Sequence, residues 1–169
     1  SFSKIEKKKR EYHFSDVDVN ELIVEVCDNF EPHFKAQVVE LNLKLNSKMP
    51  LISADRDSIT ESLINLIDNA VKYGSFESKK IEIRTRSADG DIYIDVEDNG
   101  IGISKKHQKL VFDKFYRVTE GNLAHKAKGS GLGLNIVKMI MEKHNGKIVL
   151  NSQQGKGSCF TLIFPLKKN

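Results

Sequence analysis

Residues 65–73 read Asn65-Leu66-Ile67-Asp68-Asn69-Ala70-Val71-Lys72-Tyr73, and they sit in a longer helical stretch that opens near Asp57 and stops at Gly74. At about 100° per residue, Ile59, Leu63, Leu66, Ile67, Ala70 and Val71 fall within one arc of roughly 140°. Asn65, Asn69 and Lys72 fall within about 60° of one another on the opposite side. An amphipathic helix with a merely wet face would be better served by Lys or Glu, because Asn competes with the backbone for hydrogen bonds inside a helix. Two asparagines at i and i+4 stack their carboxamide oxygens. That is a platform for a hydrated Mg²⁺, a cation that prefers hard oxygen donors and keeps several waters. Lys72 adds a cation one turn further on.

Two glycine-bearing loops lie downstream. Asp98-Asn99-Gly100-Ile101-Gly102-Ile103 follows directly on the alternating stretch Ile92–Val96. Asn-Gly is a strong hairpin signal, yet Ser104-Lys105-Lys106-His107-Gln108 supplies no second strand, so a functional loop is expected. A carboxylate at a strand end is an acceptor-only group, and flanking glycines let a ligand approach the backbone. Together they suit the exocyclic amine of a nucleobase. Gly129-Ser130-Gly131-Leu132-Gly133-Leu134 opens the third strong helix, where successive backbone N–H groups and the helix dipole attract an anion. It is neither a dinucleotide fingerprint nor a P-loop: the spacing is wrong for the first, and no GxxxxGK[ST] occurs for the second.

The surrounding pattern is α/β. Phe14–Val19 reads as a short strand running into a helix with Asp18 as N-cap and Glu21 three residues on, ending near Pro32. Val39–Leu45, Leu51–Ser53, Ile81–Thr85, Ile92–Val96, Lys147–Asn151 and Ser158–Phe164 read as strands. A tight turn is expected at Ala88-Asp89-Gly90-Asp91, a short helical stretch near Leu110-Val111, and a helix bearing Ile136, Val137, Ile140 and Met141 that closes at Asn145-Gly146. Helices on one face of a mixed sheet satisfy this order.

Composition narrows the class. The chain has 169 residues, 39% apolar and 30% charged, with 27 Lys+Arg against 23 Asp+Glu, which is the profile of one globular domain. There is no Trp and no interleaving of basic and aromatic residues, so no nucleic-acid partner is expected. Cys27 and Cys159 have neither metal-ligand nor redox spacing and suit a reducing, cytoplasmic setting. No apolar run reaches membrane-spanning length, and Ser1–Arg10 lacks the apolar core of a signal peptide.

Taken in order, these motifs resemble the catalytic and ATP-binding domain of two-component sensor histidine kinases, in the wider ATPase family of DNA gyrase and heat-shock chaperones. Asn65–Tyr73 matches the N box, Asp98–Ile103 the G1 box, and Phe112-Asp113-Lys114-Phe115-Tyr116-Arg117 the F box. Gly129–Leu134 matches the G2 box, and Gly157-Ser158-Cys159-Phe160 with Pro165 agrees with the family's ending. The match covers roughly residues 14–166.

The resemblance implies a Bergerat-type two-layer α/β sandwich: a mixed sheet of about five strands on three helices, with ATP between the N-box helix and a lid. Residues 1–12 would be the tail of a preceding dimerisation helix or a linker, and residues 13–169 the ATP-binding catalytic domain. It also implies roles. Asn69, with Asn65, would hold Mg²⁺; Lys72 would contact phosphate, and Tyr73 would lie near the adenine or ribose. Asp98, on the loop of Gly100 and Gly102, would accept from the adenine amine. Ile103 and Leu134 would form apolar walls, and Ser158 would lie near the base. Gly129, Ser130, Gly131, Leu132 and Gly133 would cradle the phosphates, and Arg117 would approach the γ-phosphate. His125, Lys126 and Lys128 on the expected lid, 118–128, inherit no role. Phe112 and Phe115 are open between core packing and docking of the acceptor domain.

Where gyrase-like relatives carry a water-activating glutamate, this chain has Asn65, whose carboxamide is no general base. Kinase is therefore favoured over ATPase. The five histidines precede Phe14, Phe34, Gln108, Lys126 and Asn145, and none has the acidic neighbour of an acceptor histidine. The implied partners are a histidine-bearing dimerisation domain of a parent kinase and, downstream, a response-regulator receiver domain. By family analogy the parent is membrane-anchored, and this fragment is a cytoplasmic monomer that does not phosphorylate itself. A serine/threonine kinase of the same fold and a nucleotide-gated interaction module without transfer activity are the other readings.

Overall fold

Alternation and helical periodicity place the elements, and packing joins them into two layers. The computed structural model describes residues 10–75, 77–114, 116 and 133–166. In chain order the elements are β1 (Phe14–Val17), α1 (Val19–Gln37), β2 (Val39–Lys44), β3 (Ile52–Asp55), α2 (Arg56–Lys72), β4 (Lys79–Ala88) and β5 (Asp91–Asp98). The one-turn helix α3 (Lys105–Gln108), α4 (Gly133–Lys143), β6 (Lys147–Gln153) and β7 (Gly157–Pro165) complete the chain. A five-stranded sheet runs in the order β2-β4-β5-β7-β6, and β1 and β3 form a separate two-stranded ribbon. β2 pairs with β4 in parallel, whereas β4–β5, β5–β7 and β6–β7 are antiparallel, so the sheet is mixed, as expected.

Period-two alternation sends Ile81, Ile83, Ile92, Ile94, Val96, Phe160, Leu162 and Phe164 to one face. There they enter one core with Leu22 and Ile23 of α1, Ile59, Leu63, Leu66 and Ile67 of α2, and Val137, Ile140 and Met141 of α4. The other face is polar. On it Asp95 is only 4% exposed, because it accepts from Thr161 and lies between the guanidinium groups of Arg84 and Arg86.

Local signals hold at most joints. Asp18 caps α1, its carboxylate accepting from the backbone N–H groups of Asn20 and Glu21. Asp89 and Gly90 both take positive φ in the β4–β5 turn, and Asn145 closes α4 with a φ of 56°.

Two joints differ from expectation. The helical turn foreseen near Leu110 begins earlier, at Lys105, and runs on as turns. α1 passes Pro32 and ends at Gln37. Proline removes one ladder donor, but the extra turn buries Phe34, whose ring stacks on Phe30 at 5.5 Å. The price is local: Val38, 82% exposed, caps the helix with a φ of 54°. A β-branched residue there is strained, since the left-handed region costs L-residues about 1–2 kcal/mol. Val38→Gly is expected to stabilise the chain by about 1 kcal/mol, raising its melting temperature by about 2–4 °C. An unchanged or lower melting temperature in a thermal scan would contradict that account.

Candidate nucleotide site

Asp98 closes β5 on the inward register of Ile92, Ile94 and Val96, so a carboxylate stands where the next core residue would be. It is 8% exposed. Burial pushes its pKa from 3.8 up to about 6; the backbone N–H groups of Gly100 and Ser158 pull it down, and the neighbouring Glu97 charge raises it again. The Gly100 N–H donates to its Oδ1 at 2.8 Å. Four lone-pair positions are not exhausted by two backbone donors, and a buried carboxylate gains from a further one. An amino group of a planar ligand fits that need.

The loop after Asp98 is stitched down on both sides. Ile101 N–H donates to the carbonyl of Tyr73, the C-cap of α2, at 3.2 Å, and Gly155 N–H donates to the Ile101 carbonyl at 2.7 Å. Ile103 N–H donates to Ser152 Oγ at 2.8 Å, and Ser152 Oγ lies 2.7 Å from Ser158 Oγ. Gln108 Nε2 donates to the carbonyls of Ile103 and Ser152. Approach is so close that a Cβ on Gly100 would lie 1.8 Å from the Tyr73 carbonyl oxygen. The turn is therefore a loop pressed against the end of α2, not a hairpin.

At the other end, Asn65 Nδ2 donates to the Gly133 carbonyl at 3.4 Å, bringing the N-box helix to the first residue of α4. That bond occupies the carboxamide nitrogen and leaves the oxygen as a hard donor. Asn69, half-buried one turn on, adds a second carboxamide. Such a donor set fits a Mg²⁺ that keeps most of its waters. Lys72 pairs with Asp68 at 2.9 Å, so an anion would have to draw it from that partner. Ile103 and Leu134 pack half-buried against the core, available as walls.

The structure thus gathers Asp98, Gly100, Gly102, Ile103 and Ser158 at one end, and Asn65 and Gly133 at the other, with Tyr73 tying α2 to the loop. Arg117, Gly129, Ser130, Gly131 and Leu132, and the lid 118–128, lie outside the described residues, as does Phe115. Of the two open aromatic readings, Phe112 takes the core one: it packs edge-on against Phe160 at 6.2 Å. A depression on the opposite face of the sheet, lined by Asn42, Glu82, Glu97, Asn151 and Cys159, reaches Asp98 and Ser158 only from behind.

Three supporting residues escaped the sequence reading. Ser152 carried a signal, a lone hydroxyl continuing the inward stripe Ile148, Leu150. Gln108 and Asn135 carried none; Asn135 Nδ2 donates to the Phe112 carbonyl at 3.0 Å, a contact made only by folding.

A helix bearing paired carboxamides, an acceptor loop at a strand end and a second helix opening on glycine define a nucleotide-binding class of two-layer α/β domain. The chain belongs to the histidine kinase-, DNA gyrase B- and HSP90-like ATPase family, whose model matches residues 54–168. Its relatives within that family are sensor kinases. It is 40% identical to the sensor protein RprX of Bacteroides fragilis (strain YCH46) over 99% of this chain and 32% of RprX. It is 35% identical to the sensor histidine kinase WalK of Bacillus subtilis (strain 168) over 98% of this chain and 27% of WalK. The chain therefore spans about a third or less of these curated relatives. Among solved structures, the catalytic domain of the histidine kinase ThkA superposes with a TM-score of 0.78 at 28% identity, covering 90% of this chain and 97% of that one. ThkA has also been solved in complex with the response regulator protein TrrA, with a TM-score of 0.79 and 25% identity over 98% of this chain and 46% of that one.

Proposed function

We propose that residues 13–169 bind ATP–Mg²⁺ and donate its γ-phosphoryl group to a histidine on a dimerisation domain outside this chain, with residues 1–12 leading from that domain. A receiver domain of a response regulator, the kind of partner seen with ThkA, would take the group onward. The observation that carries the reading is the buried acceptor Asp98 at one end of a site whose other end sets Asn65 against Gly133.

In this reading Asp98 receives the adenine amine, Ile103 and Leu134 flank the base, and Ser158 and Tyr73 lie beside it. Gly129–Gly133 cradle the phosphates with Ser130 and Leu132 on the same loop, Lys72 leaves Asp68 for phosphate, and Arg117 meets the γ-phosphate. Asn65 and Asn69 hold Mg²⁺, which when bound withdraws charge from the phosphates. The chain's own work is positioning and electrostatics, most of what phosphoryl transfer asks of a protein. Asn65 activates no water, so the phosphoryl group waits for a side-chain acceptor.

Calorimetric titration with a non-hydrolysable ATP analogue tests the site. Saturable binding is expected, strengthened by Mg²⁺ in the parent chain and about tenfold weaker in Asn69→Ala only when Mg²⁺ is present. With radiolabelled ATP, label should appear on a separately expressed histidine-bearing dimerisation domain of a sensor histidine kinase and not on this chain. Stable label on His13 or His33, or no binding at millimolar nucleotide, would overturn the proposal.

A further inference from the structure

His144 does no work in the site just described, yet it is 6% exposed and both ring nitrogens are engaged. Its Nδ1 lies 2.8 Å from the carbonyl of Ile140, one turn back on its own helix. Its Nε2 accepts from the backbone N–H of Asp55 at 3.0 Å. The two partners assign one neutral tautomer, with the proton on Nδ1. Tyr12, Phe14 and Phe164 enclose the ring, the nearest centroid at 4.9 Å.

Asp55 is the N-cap of α2. Its carboxylate accepts from Ser58 N–H at 2.8 Å and from His13 N–H at 2.7 Å, and its own N–H donates to the imidazole, a buried bond worth about 0.5–1.5 kcal/mol. So the N-cap of the N-box helix is bonded to the residue that directly follows α4. The antiparallel pair α2–α4 carries a second polar rung, Asn65 to Gly133. On α4 the rungs are 144 − 133 = 11 residues apart, and on α2 they are 65 − 55 = 10 apart. At 1.5 Å per residue both spans are about 15–17 Å. Because the two spans match, both rungs close in the same axial register, and a slide of either helix would strain both together.

We infer that His144 is a positioning residue that sets the axial register of α4 on α2 and thereby holds Gly133 against Asn65, at the phosphate end of the nucleotide site. Apolar packing between the two helices is non-directional and tolerates small slides; a hydrogen bond from a tethered ring to a backbone N–H does not. The inference rests on the nucleotide reading for its consequence, and on the two rungs for its geometry.

The test separates the two ends of the site. Adenosine reads the base end, Asp98 with its Ile103 and Leu134 walls, where apolar contact tolerates a small slide, whereas the ATP analogue with Mg²⁺ reads both ends. His144→Phe keeps a ring among the aromatics and removes the acceptor; His144→Gln restores an acceptor through Oε1. In titrations followed by heteronuclear NMR, His144→Phe should keep adenosine affinity within about twofold. It should bind the analogue with Mg²⁺ about tenfold more weakly, within the loss that a misplacement of about 1 Å brings, and His144→Gln should recover most of that. In the nucleotide-free proteins, the Asn65 carboxamide and Gly133 amide resonances should move in His144→Phe and return in His144→Gln. Equal losses for adenosine and analogue would mean a purely structural residue and overturn the inference, as would no loss at all. If the parent chain binds neither ligand, the nucleotide reading fails, and the two resonances still decide the register. His144→Leu, smaller and also without an acceptor, replaces the phenylalanine variant if that one does not fold.

Discussion

Asp98→Asn is expected to bind an ATP analogue at least about a hundredfold more weakly than the parent chain and, at pH 8, to melt no lower than it. Both halves follow from a carboxylate kept largely out of water. On the binding side, a carboxamide has one acceptor oxygen and one NH₂. Gly100 and Ser158 already present backbone N–H groups to this position, so whichever way the amide turns, its NH₂ faces a backbone donor or the ligand amine. A lost charge-assisted bond and a donor left facing a donor are each worth about 1.5–3 kcal/mol, which makes a hundredfold loss a conservative expectation. A base with a 6-oxo group presents an acceptor instead, so discrimination against an inosine nucleotide should narrow in the same variant.

On the stability side, folding raises this carboxyl from 3.8 to about 6. An acid raised on folding contributes stability below its unfolded pKa and loses it as pH climbs through the folded value. The ionised form of Asp98 therefore carries a penalty of about 3 kcal/mol that is absent near pH 4 and complete above about pH 7. Asn is never ionised and escapes that penalty, though it gives up part of the bonding to Gly100 and Ser158. The melting temperature of the variant relative to the parent should thus rise between pH 4 and pH 8. Binding has the same sign in pH: the ionised carboxylate is the better acceptor, so affinity of the parent falls below about pH 6, approaching tenfold per pH unit. A variant that binds normally, or an affinity flat from pH 5 to pH 8, would remove Asp98 from the site.

Gly102→Ala is expected to lower the melting temperature by about 6–20 °C and to abolish nucleotide binding. Gly102 has a φ of 70°, a region that costs an L-residue about 1–2 kcal/mol before any contact is made. An added Cβ would also lie 2.1 Å from the Gln153 carbonyl oxygen and 3.0 Å from the Gln154 Cα. These are backbone atoms of the β6–β7 hairpin, held by the Gly155–Ile101 and Ile103–Ser152 bonds, so they cannot give way as a side-chain tip would. Relief means lifting the loop off the hairpin, which breaks both bonds. Strain plus two lost bonds comes to about 3–5 kcal/mol, and each kcal/mol moves a domain of this size by about 2–4 °C. A thermal scan paired with a binding titration checks both effects. A Gly102→Ala chain that melts like its parent would show that the loop is not seated against Gln153.

Legibility followed the range of the forces involved. The alternation of Ile81, Ile83 and of Ile92, Ile94, Val96, the apolar arc of α2 and the Asp18 cap are local patterns, and each was readable because steric periodicity acts over a few residues. The N and G1 boxes were readable as motifs for a related reason: their Asn, Asp and Gly stand at fixed spacings along one chain segment. Pro32 misled because a local rule, helices stop near proline, was outweighed by burial of Phe34, a tertiary gain.

By itself the sequence determined the α/β class and the order of the elements, and it supplied the residues proposed to meet a nucleotide, because each depends on patterns carried within one segment. Only the tertiary structure decided that Asp98 is buried deeply enough to hold a pKa near 6, that Ser152 and Gln108 clamp the acceptor loop, and that His144 reaches across 89 residues to the cap of α2. Burial and hydrogen bonds between distant segments exist only once the layers close, and no spacing along the chain records them.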